Sequence, residues 1–186
     1  MSGHIEPPEG GNKKIALLIA VLALLLALAE IGGKQAQNEA IAKNIDASNL
    51  WSFFQAKTIR GTVVRTAAEA MEVEIAGTTD EATRRRLQMR VDGWKATIAR
   101  YESEPETNEG RKELMARARK TEQERDDYKA RDENFEIASG MLQIGIVVAS
   151  ASIITGVGLL ALVGGGLGVA AIGFMGLALF APHLLF

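Results

Sequence analysis

The feature that most constrains this chain is where its charge is missing. Every residue from Ile15 to Ala29 is apolar, and after Glu136 no Asp, Glu, Lys or Arg occurs in the remaining 50 residues. Between these blocks, from Lys34 to Glu136, lie 19 basic and 20 acidic side chains. The net charge of -2 over 186 residues therefore hides a dense, nearly neutral centre flanked by oil. Such sorting predicts an all-α membrane protein rather than one soluble domain. A balance this close to neutral gives no argument for nucleic acid as a partner.

Composition removes several chemistries. The chain has no Cys, which excludes disulfide frameworks, thiolate metal sites and cysteine nucleophiles. Of the two His, His4 falls in a tail over residues 1–12 that contains Pro7, Pro8, Gly10 and Gly11 and reads as disordered. His183 follows Pro182 after the last apolar stretch. Neither has a second His at ligand spacing, so the sequence offers no metal site and calls for no cofactor. Walker, HExxH, GxSxG and dinucleotide fingerprints do not occur, and no catalytic residues are expected.

Residues 13–33 are expected to form the first transmembrane helix. The run Ile15–Ile31 reaches about 25 Å, slightly short of a hydrocarbon core of about 30 Å, and Lys13 and Lys14 can snorkel across the difference. A cleaved signal peptide ending at Ala27-Leu28-Ala29 is the competing reading. Ser139–Phe186 would extend about 70 Å as one helix, so it must reverse. Gly164-Gly165-Gly166 is expected to supply that turn, placing the second span at 138–163 and the third at 167–186. Ser152 with Gly156, and Gly164 with Gly168, are small-xxx-small pairs suited to close helix packing. Gln143, Ser150 and Thr155 are the polar groups a pore would use; interhelical or back-bonding hydrogen bonds are the plainer reading.

The polar middle, 34–137, reads as a helical coiled-coil stalk or hairpin. Ala47, Leu50, Phe54, Lys57, Gly61, Val64, Ala68, Met71 and Ile75 alternate spacings of three and four, as a heptad seam does. Gly77 ends that helix, and Thr78–Glu81 resembles a capping box opening the next. The second seam is Leu87, Val91, Trp94, Ile98 and Tyr101. Pro105 and Gly110 bracket a break, with Ser103–Glu106 as another capping box, and a third helix starts near Arg111. Its seam (Leu114, Ala118, Thr121, Arg125, Tyr128, Asp132, Phe135) meets no breaker before Gly140, so stalk and second span should be one helix. The chain must return to the membrane near Ala138. Helices two and three then form one kinked return leg, or else the first helix breaks at Gly61. Narrow seams on so charged a rod bury little alone, which predicts a homo-oligomer through stalk and spans.

Lys34, Lys43, Lys120, Arg125, Lys129 and Arg131 flank the spans on the stalk side, against Lys13 and Lys14 on the other. The positive-inside rule then favours a cytoplasmic stalk. Trp51, Phe53, Phe54, Lys57 and Arg60 form the densest aromatic and basic cluster. They are the candidate interface with a partner or lipid surface; a bundle core touching two neighbours is the alternative. Arg84-Arg85-Arg86 with Arg90 is read as a solvated, ion-paired face because Asp80 and Glu81 lie within a turn.

The N-terminal Leu/Ala span, Trp51-Ser52-Phe53-Phe54-Gln55-Ala56-Lys57, Glu109-Gly110-Arg111-Lys112-Glu113-Leu114 and the segment Leu142–Ser150 occur in an order that resembles the uncharacterised bacterial membrane family called domain of unknown function 4337. The resemblance covers residues 15 to 180 and implies a bacterial inner-membrane setting, multi-pass, with no active site to carry over. The function expected is a non-enzymatic, oligomeric scaffold in the lipid bilayer or an accessory subunit of another membrane complex. The alternative is a small homo-oligomeric pore or transporter component.

Overall fold

The structure, a computed structural model, describes residues 11–185. The expected tail lies outside the described residues up to Gly10, and so does His4; Gly11 and Asn12 already open the first helix. In chain order the elements are α1 (Gly11–Gly77), α2 (Glu81–Glu102), α3 (Arg111–Thr155), α4 (Gly158–Phe180) and a 3-10 turn at Pro182–Leu184, with no strand among the described residues. Three helices, α1, α3 and α4, contain stretches long and apolar enough to cross a membrane. The contacts divide the chain into two compact units, one joining the residues up to Ile41 to Arg125–Phe186, the other comprising Ala42–Glu124.

In the first unit the core is built from Leu22 and Ala29 of α1, Phe135, Ala138 and Leu142 of α3, and Ala171 and Ala178 of α4. Small residues let backbones approach where larger ones would hold them apart. A Cβ on Gly168 would collide with Leu22, and one on Gly32 would sit 2.7 Å from the Phe135 ring. The glycine triplet is not the turn. Gly164–Gly166 lies inside α4, and the chain reverses between α3 and α4, where Gly156 takes a φ of 72°. The second and third apolar helices accordingly end and begin at Thr155 and Gly158 instead of 163 and 167. Glycine adopts such a φ at no steric cost, and the turn is closed by Gly156 N–H donating to Ser152 O (3.0 Å) and Ser152 Oγ donating to Val157 O (2.9 Å). Burying Gly164 and Gly168 against neighbouring helices offsets their helix penalty of about 1 kcal/mol each. Beyond α4, the Asn134 amide donates to Pro182 O (3.0 Å) and His183 Nε2 lies 2.6 Å from Asp127 Oδ1, which ties the 3-10 turn to α3.

In the second unit every position of the first two seams is buried or half-buried, including Gly61, which faces Tyr101 within an unbroken α1. Cross-helix pairs fix the direction. Glu72 meets Lys95 (2.6 Å), Lys57 meets Glu104 (3.4 Å), Trp51 meets Glu122 (2.9 Å) and Lys43 meets Glu124 (2.6 Å). Falling numbers on α1 match rising numbers on α2 and then α3, so both run antiparallel to α1. The caps differ from expectation. Asp80, not Thr78, caps α2 by accepting from Thr83 N (2.9 Å), while the Thr78 hydroxyl turns back to Glu74 O. At the 103–110 break it is Glu113, not Glu106, that reaches back: it accepts from Ser103 Oγ (2.6 Å) and Glu104 N (3.1 Å).

Candidate functional site

The aromatic cluster expected as an interface is largely used inside the second unit. Trp51 and Phe54, one turn apart on α1, meet edge to face with ring centroids 5.5 Å apart. The Trp51 indole N–H donates to Glu122 of α3, and the Arg111 guanidinium stacks 5.1 Å over the Phe54 ring. Lys57 sits in the seam with its side chain only 8% exposed. Its ammonium lies 5.4 Å from the Phe53 centroid and 5.6 Å from that of Tyr101, with Glu104 at 3.4 Å and Glu109 at 3.9 Å. Two rings and two carboxylates thus replace the water that a buried cation gives up. Trp51, Phe54 and Lys57 bind α1 to α2 and α3; of the five, Lys57 is buried, Trp51, Phe53 and Phe54 are half-buried and Arg60 is exposed. Phe53 lines an open groove of about 590 Å3 with Leu50, Asp46, Asn49, Arg117 and Lys120. The sequence showed α1's share of this cluster and set Tyr101 in the second seam, whereas Glu104, 47 residues from Lys57, and Arg111 carried no local signal of pairing with α1.

The expected pore residues do not converge. Gln143 is exposed on α3. The Ser150 hydroxyl donates to Ile146 O and that of Thr155 to Ala151 O, each at 2.8 Å, the back-bonding anticipated for uncharged polar groups in an apolar helix. Gln143 and Ser150 share a face at seven residues' spacing, but Thr155 lies about 140° further round. Of the expected packing residues, Gly164, Gly168 and Ser152 are buried, and Gly156 is the exposed turn.

The ionisable groups with displaced titration serve structure. The Thr83 side chain and N–H hold Asp80 below the usual carboxylate range, and the Ser103 hydroxyl does the same for Glu113. The Glu72 carboxylate raises Lys95. Burial, with Glu136 and Glu133 nearby, pushes Asp132 up. In the basic run, Arg85 pairs with Glu81 (3.3 Å), Arg84 donates to Thr78 O, and Arg90 covers the Trp94 ring. Among the described residues no group of three His, Asp or Glu converges as a metal site.

The sequence pattern of the family described as "Domain of unknown function (DUF4337)" matches residues 11–181. No curated protein and no solved structure matches the chain.

Proposed function

The chain belongs to the domain of unknown function 4337 family, and from that membership, which brings no activity with it, we propose a non-enzymatic, homo-oligomeric scaffold or accessory subunit of a membrane complex. Three spans anchor it in the bacterial inner membrane as a multi-pass protein, and the charged helices face the cytoplasm. Support for the anchoring comes from the apolar windows, of which only 11%, 28% and 17% is buried inside the protein, so their outer faces require hydrocarbon or another copy. Six basic residues near the spans on the charged side, against two on the other, support the orientation.

One observation carries the oligomer. α1 has a second, uncharged stripe, Ile45, Ser48, Ser52, Gln55, Ile59, Val63, Thr66, Ala70 and Val73, on the face opposite the buried seam. Ile45, Ile59, Val63 and Val73 are 54%, 64%, 63% and 75% exposed. Eight charged residues lie between Ala42 and Gly77, and none falls on the stripe. A solvated face of so charged a helix would carry some of them. A second copy suits this face because a charge-free stripe laid on itself opposes no like charges. Copies anchored in one bilayer stand parallel, and Gln55 in mid-stripe then meets its own counterpart and sets the register.

The absence of native cysteine makes the test direct. In full-length protein in native membranes, Ile59→Cys is expected to form an intermolecular disulfide under mild oxidation, and Ile59→Glu to shift native mass spectra from oligomer to monomer. A wild-type monomer extracted without partners, with no cross-link at Ile59→Cys, rejects the proposal. The pore reading rests on Gln143, a polar side chain exposed among Ile144 and Val147 on an apolar helix, which needs a polar lumen or another helix. Conductance in planar bilayers that disappears with Gln143→Leu would favour it.

A further inference from the structure

We propose that the first unit holds the phosphate of an anionic phospholipid in a small cavity around Arg131. The inference rests on the membrane placement above and not on the scaffold role. The cavity, about 170 Å3, is lined by Gly32 and Gln35 of α1, Tyr128, Arg131 and Phe135 of α3, and Leu179 of α4. Its level is fixed three times over. Gly32 follows the last residue of the first apolar run, Phe135 precedes the apolar part of α3 by a turn, and Leu179 is one residue from the end of α4. Two helices, α1 and α3, therefore change between apolar and polar sequence at this cavity and α4 ends beside it, the depth at which lipid phosphates lie.

Arg131 is the one charged residue in the lining. Its guanidinium stands 5.4 Å over the Tyr128 ring, and its Nε is sealed from solvent with no acceptor. Among the described residues it makes no ion pair, and the carboxylate one turn earlier, Asp127, is engaged by His183. The Tyr128 ring offsets part of the water this half-buried guanidinium has lost, and its N–H groups, which have no carboxylate partner among the described residues, are left for an anion to satisfy. Its planar fork suits phosphate oxygens bidentately, the Gln35 amide and the Tyr128 hydroxyl can add donors, and the exposed Leu179 side chain offers an acyl chain a surface. A free phosphate would satisfy the cation equally but would leave Leu179 unused.

The test uses full-length protein in nanodiscs of mixed phosphatidylglycerol and phosphatidylcholine, with lipid retained per chain counted by native mass spectrometry. Wild type is expected to retain phosphatidylglycerol in preference, and Arg131→Gln to reduce that retention by roughly tenfold, as losing hydrogen bonds to a charged group should. Arg131→Lys keeps the charge without the fork and should fall between, which guards against a variant that merely misfolds. Retention that survives millimolar inorganic phosphate assigns the lipid; displacement assigns a soluble phosphate to the same cation. Equal retention by wild type and Arg131→Gln, in protein that still sediments with membranes, overturns the site alone. Protein that does not sediment with membranes overturns the membrane reading instead.

Discussion

Gly145 and Gly164 bring the backbones of α3 and α4 into contact: a Cβ on Gly164 would stand 2.7 Å from the Gly145 carbonyl oxygen and 3.1 Å from Ala149 Cβ. A carbonyl inside a helix cannot turn away as a side-chain tip can. Gly164→Ala should therefore separate the helices at a net cost of about 1–2 kcal/mol, because the overpacking penalty exceeds the helix-propensity gain. Gly166, two residues on, has nothing within 4 Å, and Gly166→Ala should gain about 0.5–1 kcal/mol. Unfolding in mixed micelles followed by circular dichroism measures both, and the opposite signs separate contact from propensity.

Lys57 tests whether a buried cation acts through its charge or its stem. Lys57→Ala removes the packed chain between Phe53 and Tyr101 and should cost about 2–3 kcal/mol. Lys57→Met keeps the volume. It strands no carboxylate, because Glu104 retains Arg100 at 3.7 Å and Glu109 is half in water, so stability should stay within about 1 kcal/mol of wild type. Thermal unfolding of the full-length protein gives both values; equal losses for Met and Ala would assign the role to the charge.

Glu113 makes the junction of α2 and α3 sensitive to acid. Its carboxylate accepts from the Ser103 hydroxyl and the Glu104 N–H, and these bonds lower its titration in the fold. A carboxylate depressed by folding contributes stability above its unfolded value, and that contribution disappears as pH falls through the folded one. The loss should set in around pH 4.3, where an unfolded glutamate is half protonated. Glu113→Gln should be less stable than wild type at pH 7, and the difference should shrink as pH falls through the lowered folded value. Parallel unfolding midpoints across that range would contradict the capping role.

What could be read in the sequence was periodic. The α1 and α2 seams appear as buried or half-buried positions because a spacing of three and four sorts a helix face whatever it packs on. The 103–110 break was marked by Pro105 and Gly110, and a Cβ on Gly110 would indeed collide with Glu113 and Glu104. The turn was misplaced because glycine carries two meanings in an apolar helix. Gly164–Gly166 looked like a breaker by propensity, yet Gly164 and Gly168 serve close approach, and the lone Gly156 supplies the positive φ. Polar contacts across helices, such as the Trp51 hydrogen bond to Glu122 or the Arg111 guanidinium over Phe54, depend on register between distant segments and leave no trace in local spacing.

Asn134 is completely buried and donates twice, to Ala130 O at 2.7 Å and to Pro182 O at 3.0 Å, while its Oδ1 is buried without a partner. Asn134→Leu removes both bonds and also the unsatisfied oxygen. These effects oppose each other, so global stability should change by less than about 1 kcal/mol. The local effect should be larger. The Leu184 N–H, bonded to Ala181 O within the 3-10 turn, loses one of the two contacts that hold the turn to α3, with His183–Asp127 left, and should exchange with solvent several-fold faster. The Ala181 N–H, bonded to Leu177 O at the end of α4, should keep its rate. Hydrogen exchange read at the two amides distinguishes release of the turn from fraying of the helix, since fraying would accelerate both.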